Sequence, residues 1–171
     1  MLVVWFLSIG FHELAHALMA RRFGCETKSV VFHMFGGVAS IYSFDSLEPK
    51  KQMAVSFAGP VGSFVLSAIA ATPYLIMGEG TPAILEMTMV FNFFAGAANL
   101  LPTLPLDGGR ILKSALSMAY DGDAVRTGMR VVSMITCSTI FVLGALYSPM
   151  VAVLAVGLAT IAYIETQKTN E

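Results

Sequence analysis

The stretch "GFHELAHALMARRFG" (Gly10–Gly24) sets His12, Glu13 and His16 inside one of the most apolar parts of the chain. On a helix, residues four apart share a face, so both imidazoles can reach one ion. Glu13 follows the first histidine and falls beside that ion, where it can take a proton from a bound water. Ionisable groups within an apolar helix are costly and as a rule mark function. The stretch therefore asks two questions at once: what the helix sits in, and what completes the ligand set.

The surroundings are those of a bilayer. The chain has 171 residues, 56% of them hydrophobic and 12% charged. A soluble domain of this length carries about 25% charged residues. The length suits a single domain, residues 1–171. A net charge of −1 gives no basic surface for nucleic acid. Cys25 and Cys137 fit no metal or redox spacing and read as free thiols among apolar neighbours. The opening "MLVVWFLSIGF" has no basic flank and no clear cleavage site, so it reads as half of a membrane helix rather than a signal peptide. Its abrupt start raises the expectation of a trimmed N-terminus.

A membrane helix needs about 20 apolar residues. Five segments meet or approach this: about Leu2 to Arg22, Gln52 to Met77, Ala83 to Asn99, Arg130 to Tyr147 and Met150 to Ile164. Only Ser148-Pro149 separates the last two, which predicts an antiparallel pair. After the first segment, Thr27–Ser43 has β-branched and aromatic runs around Phe35-Gly36-Gly37 and reads as a hairpin. An open strand edge cannot face lipid, so a membrane-associated hairpin must pack on helices or pair with something. The expected architecture is an all-α membrane protein of about five spans with this small hairpin after the first.

Arg21, Arg22, Lys28, Lys50, Lys51, Arg126 and Arg130 fall in connections that share one side. The opposite connections, Gly78–Pro82 and Ser148-Pro149, carry no Lys or Arg. The positive-inside rule puts the basic side in the cytoplasm of a cell-membrane protein.

Zinc takes nitrogen and oxygen ligands tetrahedrally, and a catalytic site keeps one position for water. His12 and His16 supply two ligands. The extended motif of soluble zinc proteases would continue with Gly and His, but "ALMARR" follows His16, which excludes that class. His33 in the hairpin is a weak candidate beside its reading as an interfacial polar residue. Asp107, in "NLLPTLPLDGGR" (Asn99–Arg110), is a better one. Pro102 and Pro105 break the helix there, and Gly108-Gly109 permit conformations closed to other residues. The broken-helix loop 99–110 thus carries an acid at membrane depth. The competing reading of Asp107 is an N-cap for a helix starting near Arg110. Depth favours the ligand: His16 lies about 9 Å from the basic end of its helix, and the third segment climbs about 25 Å before the break.

Together "HELAH", "FGGVA", "FAGPVGS" and "NLLPTLPLDGGR" resemble the site-2 protease family of intramembrane zinc metalloproteases, in order and spacing along most of residues 5–115. Asn92 also falls where many members carry asparagine. The resemblance implies one zinc ion per chain held by His12, His16 and Asp107, with Glu13 as catalytic acid/base. It implies that Asn99 holds the substrate or its oxyanion, and that the Gly36-Gly37 hairpin borders the substrate path. Three departures stand out: only eleven residues precede His12, Ser63 stands where many members have asparagine, and none of these 171 residues reads as part of a PDZ or CBS module. Gly59-Pro60 reads as a kink or close helix contact.

The expected function is zinc-dependent endoproteolysis of transmembrane segments within the lipid bilayer, at a site nearer the cytoplasmic face. The alternatives are an inactive membrane protein that binds zinc or transmembrane segments, and a metal transporter. Retention of Glu13 argues against the first. The second needs a polar path, and beyond Glu79 and Glu86 the outer half has little. Zinc analysis joined to a cleavage assay discriminates among them. Substrate identity and oligomeric state have no signature in the sequence.

Overall fold

A computed structural model of the chain describes residues 2–25, 27–33, 36–41 and 44–168. It divides into two compact units, Met1–Asn99 and Leu100–Glu171. The first holds α1 (Leu2–Arg22), strands β1 (Thr27–His33) and β2 (Gly36–Ile41), α2 (Pro49–Met77) and α3 (Ala83–Asn99). The second holds α4 (Asp107–Leu116), α5 (Gly122–Tyr147) and α6 (Pro149–Lys168).

In the first unit α1 packs against α2 and α3, and α2 against α3. The turn after α1 is built by Gly24, whose φ of 84° closes a Schellman motif. Cys25 N–H donates to the Ala20 carbonyl and Gly24 N–H to the Arg21 carbonyl, both at 3.0 Å. These bonds satisfy orphan carbonyls at the helix end. Cys25 then packs with Ala20 and Val55 in a small apolar cluster, which is why this thiol is buried. From there β1 and β2 pair antiparallel, with His33 opposite Gly36, and β2 lies alongside α1.

Small residues set the helix contacts. A Cβ on Gly62 would come within 2.9 Å of Ala15 Cβ, and one on Gly96 within 3.2 Å of Phe64 and the Pro60 carbonyl. Close approach of this kind is how helices associate where lipid removes the hydrophobic drive. Hydrogen bonds add to it. Asn92 on α3 is fully buried and its amide donates to Ser8 Oγ on α1 at 2.8 Å. Ser67 Oγ on α2 donates to the Met89 carbonyl on α3 at 2.7 Å.

The second unit begins with a loop folded back on its own helix. Cβ atoms on Gly108 and Gly109 would overlap the backbone of Leu100, Leu101 and Thr103. Neither glycine has a positive φ among the described residues. They are needed for close backbone approach rather than for an unusual conformation. Leu104 from this loop packs with Val125 and Met129 of α5. Beyond Ser148, α6 returns along α5, and a Cβ on Gly144 would collide with the backbone of Ala152.

Polar side chains point inward and large apolar ones outward. Ser8, His12, Glu13, His16, Ser56, Ser63 and Asn92 are buried, whereas Leu14, Leu18, Val61, Ile69, Phe94, Ile135 and Leu154 are exposed. This inversion is that of a multi-pass membrane protein. Two expectations need correction. Among the described residues four helices, α1, α2, α5 and α6, are long and apolar enough to cross a bilayer, rather than about five. The third segment, α3, stops at 17 residues, about 25 Å. It falls short of a hydrocarbon core of about 30 Å because the proline-broken loop follows at once. The fourth segment starts at Gly122, not near Arg130, because its first turns are helical although charged.

The α5–α6 contact gives a direct test. Gly144→Leu should destabilise the detergent-solubilised protein by about 1–3 kcal/mol, as overpacking does, and so lower its apparent Tm. Gly157→Leu, on α6 with nothing within 4 Å of its would-be Cβ, should leave Tm unchanged. Equal Tm values for the two variants, measured by dye-monitored melting, would contradict the packing described.

Candidate metal centre

The i, i+4 spacing on α1 does what helical geometry dictates. His12 and His16 are both buried and face the same way, with Nε2 to Nε2 at 3.2 Å. Their rings meet edge to face, centroids 4.9 Å apart at 77°. α2 supplies the opposing surface with its own four-residue spacing: Val55, Gly59 and Ser63. His16 Nδ1 lies 2.8 Å from the Val55 carbonyl. A carbonyl only accepts, so His16 donates from Nδ1, which leaves Nε2 as the nitrogen a neutral ring would offer to a metal. His12 Nδ1 lies 2.9 Å from Ser63 Oγ, a hydroxyl that either accepts or donates.

The pair fits a tetrahedral metal. Bonds of about 2.0–2.1 Å from both Nε2 atoms to one zinc ion, with the observed separation, subtend about 103°, near the tetrahedral angle. Space for the two imidazoles against α2 is kept by an omission. A Cβ on Gly59 would overlap His16 Nε2 and lie 2.6 Å from His12 Nε2. Any side chain at 59 would displace the imidazoles themselves. This is the close helix contact read from the sequence, made here against the two imidazoles. Carbonyl or hydroxyl partners on the far ring nitrogens are what metal-ligating histidines have.

Glu13 is also buried, one residue from His12 on α1. Asp107 belongs to the second unit, where it is buried as the first residue of α4. The cap is Leu106, without a side-chain hydrogen bond, so Asp107 is not the N-cap. Its backbone is held by the packing of Gly108 and Gly109 on the loop before it. Asn99 is the last residue of α3, and its amide donates to the Ala95 carbonyl of its own helix at 3.0 Å. His33 ends β1, and its side chain lies outside the described features. Ser63 is the residue whose role sequence reasoning left open, and the contact of Gly59 with the two imidazoles is a detail it did not reach. The available signal was that 59 and 63 repeat the spacing of 12 and 16.

The sequence matches peptidase family M50 over residues 1–79 and 74–143. Rip3 of Mycobacterium tuberculosis is 39% identical over 132 residues, covering 74% of this chain and 33% of the relative. A zinc metalloprotease of Methanocaldococcus jannaschii is 31% identical over 121 residues, covering 69% of this chain and 34% of the relative. The chain thus spans about a third of the length of these curated relatives. The site-2 protease from Methanocaldococcus jannaschii has a similar fold, with a TM-score of 0.74 at 24% identity over 96% of this chain and 76% of that one. The matched residues include His12, Glu13 and His16 in the first part and Asp107 in the second, and the chain belongs to peptidase family M50.

Proposed function

We propose that this chain is a zinc-dependent intramembrane endopeptidase that hydrolyses peptide bonds in transmembrane segments of other membrane proteins. The observation that carries this reading is the buried His12–His16 pair, with Nε2 atoms 3.2 Å apart and the far nitrogens held by α2. Glu13 beside it is the residue that a metal-binding site without catalysis would not need.

In this proposal His12, His16 and Asp107 each give one ligand atom: two ring nitrogens and a carboxylate oxygen. That donor set suits catalytic zinc, which keeps a fourth position open. When bound, zinc supplies Lewis-acid activation of a water and of the scissile carbonyl. Glu13 accepts the proton of the attacking water and passes it to the leaving amine. Asn99 turns its amide from the Ala95 carbonyl to the developing oxyanion. A helical substrate must unwind locally, and β1–β2 offers an edge on which an extended segment adds as a strand.

The site is proposed to lie nearer the cytoplasmic face of a cell membrane. Arg21 and Arg22 close α1, Lys50 and Lys51 open α2, and Arg126 and Arg130 open α5. The positive-inside rule assigns these ends to the cytoplasm. Residues Gly78–Pro82, between α2 and α3, carry no Lys or Arg and fall on the other side.

Three substitutions test the reading on purified protein in nanodiscs, with zinc quantified by mass spectrometry and cleavage followed on a transmembrane test substrate. Glu13→Gln should keep zinc and lower the cleavage rate by about 10²–10⁴-fold, the usual share of general acid–base catalysis. Undiminished cleavage would remove Glu13 from the mechanism. Asp107→Ala should lose zinc; full stoichiometry with intact activity would remove Asp107 from the ligand set. Gly59→Ala should also lower zinc occupancy, since its methyl group would displace the imidazoles, and a fully loaded variant would contradict the fit described.

A further inference from the structure

Asn92 is fully buried on α3, and chemistry fixes the orientation of its amide. The Thr88 carbonyl, 2.8 Å from Nδ2, only accepts, so the amino group faces it. The same Nδ2 donates to Ser8 Oγ on α1, also at 2.8 Å. Oδ1 then has no hydrogen-bond partner among the described residues. A buried acceptor left in this way is costly. An apolar side chain of the same branching would fill the position without that cost, so packing alone does not account for an asparagine here.

The amide does fix the height of α3 on α1. The two helices run the same way, because each is antiparallel to α2. On one side of α2, His16 meets Val55 and His12 meets Ser63. On the other, Met89 meets Ser67 and Gly96 meets the Pro60 carbonyl. Seven residues on from Asn92, and on the same face of α3, stands Asn99. The same count from Ser8 along α1 reaches Ala15, between His12 and His16. A second ruler agrees. Gly96 lies at Pro60, which falls between Ser63 and Val55, the partners of the two histidines. Asn99, nearly one turn further, is level with the His16 end of the pair.

We infer that Asn92 is a positioning residue: its bridge to Ser8 sets the register of α3 on α1 that brings Asn99 level with the His12–His16 pair. The inference rests on the oxyanion role proposed above for Asn99 and goes beyond it. An oxyanion donor acts only within about 2.7–3.1 Å of its target oxygen. Ser67 ties α3 to α2, so without the amide the register of α3 on α1 would pass through two interfaces. The direct bridge joins the helix of Asn99 to the helix of the histidines one turn from His12.

The test is kinetic, on the full chain in nanodiscs with the transmembrane test substrate. Ser8→Ala should lower kcat by about 10–100-fold, as a misplacement of about 1 Å does. KM and zinc content should stay as in wild type, because an oxyanion contact is made only in the transition state. Asn99→Ala should lower kcat by about 10²–10³-fold. The double variant decides: in the Asn99→Ala background, Ser8→Ala should cost nothing further, since the residue through which it acts is gone. A merely structural bond would give losses that multiply, and these would overturn the inference. So would wild-type kcat in Ser8→Ala, or a loss of zinc that matches its loss of rate. Should Ser8→Ala fail to fold, Asn92→Leu, which keeps the branching and loses the donor, makes the same comparison. If Asn99→Ala cleaves like wild type, the oxyanion role of Asn99 fails and the inference with it. If Asn99→Ala is slow and Ser8→Ala is not, only the role of Asn92 fails.

Discussion

An imidazole buried among helices must have both ring nitrogens partnered, and the arrangement of the first unit follows from that constraint. His12 and His16 cannot turn their far nitrogens to water, so α2 has to approach closely enough to offer Ser63 Oγ and the Val55 carbonyl. Close approach in turn requires small residues. Gly59 and Gly62 face α1, and a Cβ on either would collide with it. A helix with large residues on this face would bury more surface but would push the imidazoles away from these partners.

The same economy extends to α3. Asn92 and Ser67 tie it to α1 and α2 through hydrogen bonds, and Gly96 lets it settle on Pro60 and Phe64. Where both lipid and protein are apolar, the transfer of a leucine from one to the other yields little. Dense contact and satisfied polar groups are what remain to hold the bundle. The buried serines and asparagine and the exposed leucines and phenylalanines therefore have one cause.

Much of this was legible in the sequence. The spacing of His12 and His16 fixed their common face, and the polar residues stood out because their neighbours were apolar. Prolines marked the end of α3 and the start of α6. What escaped has physical reasons. The partner of His16 is a backbone carbonyl, and a carbonyl leaves no trace in residue identity. The partner of His12 is a serine 51 positions away, among many serines. Gly59 acts through an atom it lacks. The span count erred because α3 is near the limit of length, and the start of α5 was placed late because its first turns are helical but charged. Asp107 was seen as an acid in broken backbone, but the loop's grip on Gly108 and Gly109 is a contact between main chains.

That grip has an evolutionary side. Gly108 faces the carbonyls of Leu100 and Leu101, Gly109 faces the Thr103–Leu104 peptide, and each lacks the methyl group that would collide there. The leucine side chains can drift to other apolar residues without disturbing a contact made by their backbone. No compensating exchange is open to the glycines, since any replacement adds an atom where a carbonyl already is. Paired substitutions across this contact should therefore be absent among descendants of such a chain, and the geometry of the loop would be inherited through two invariant positions that never covary with anything.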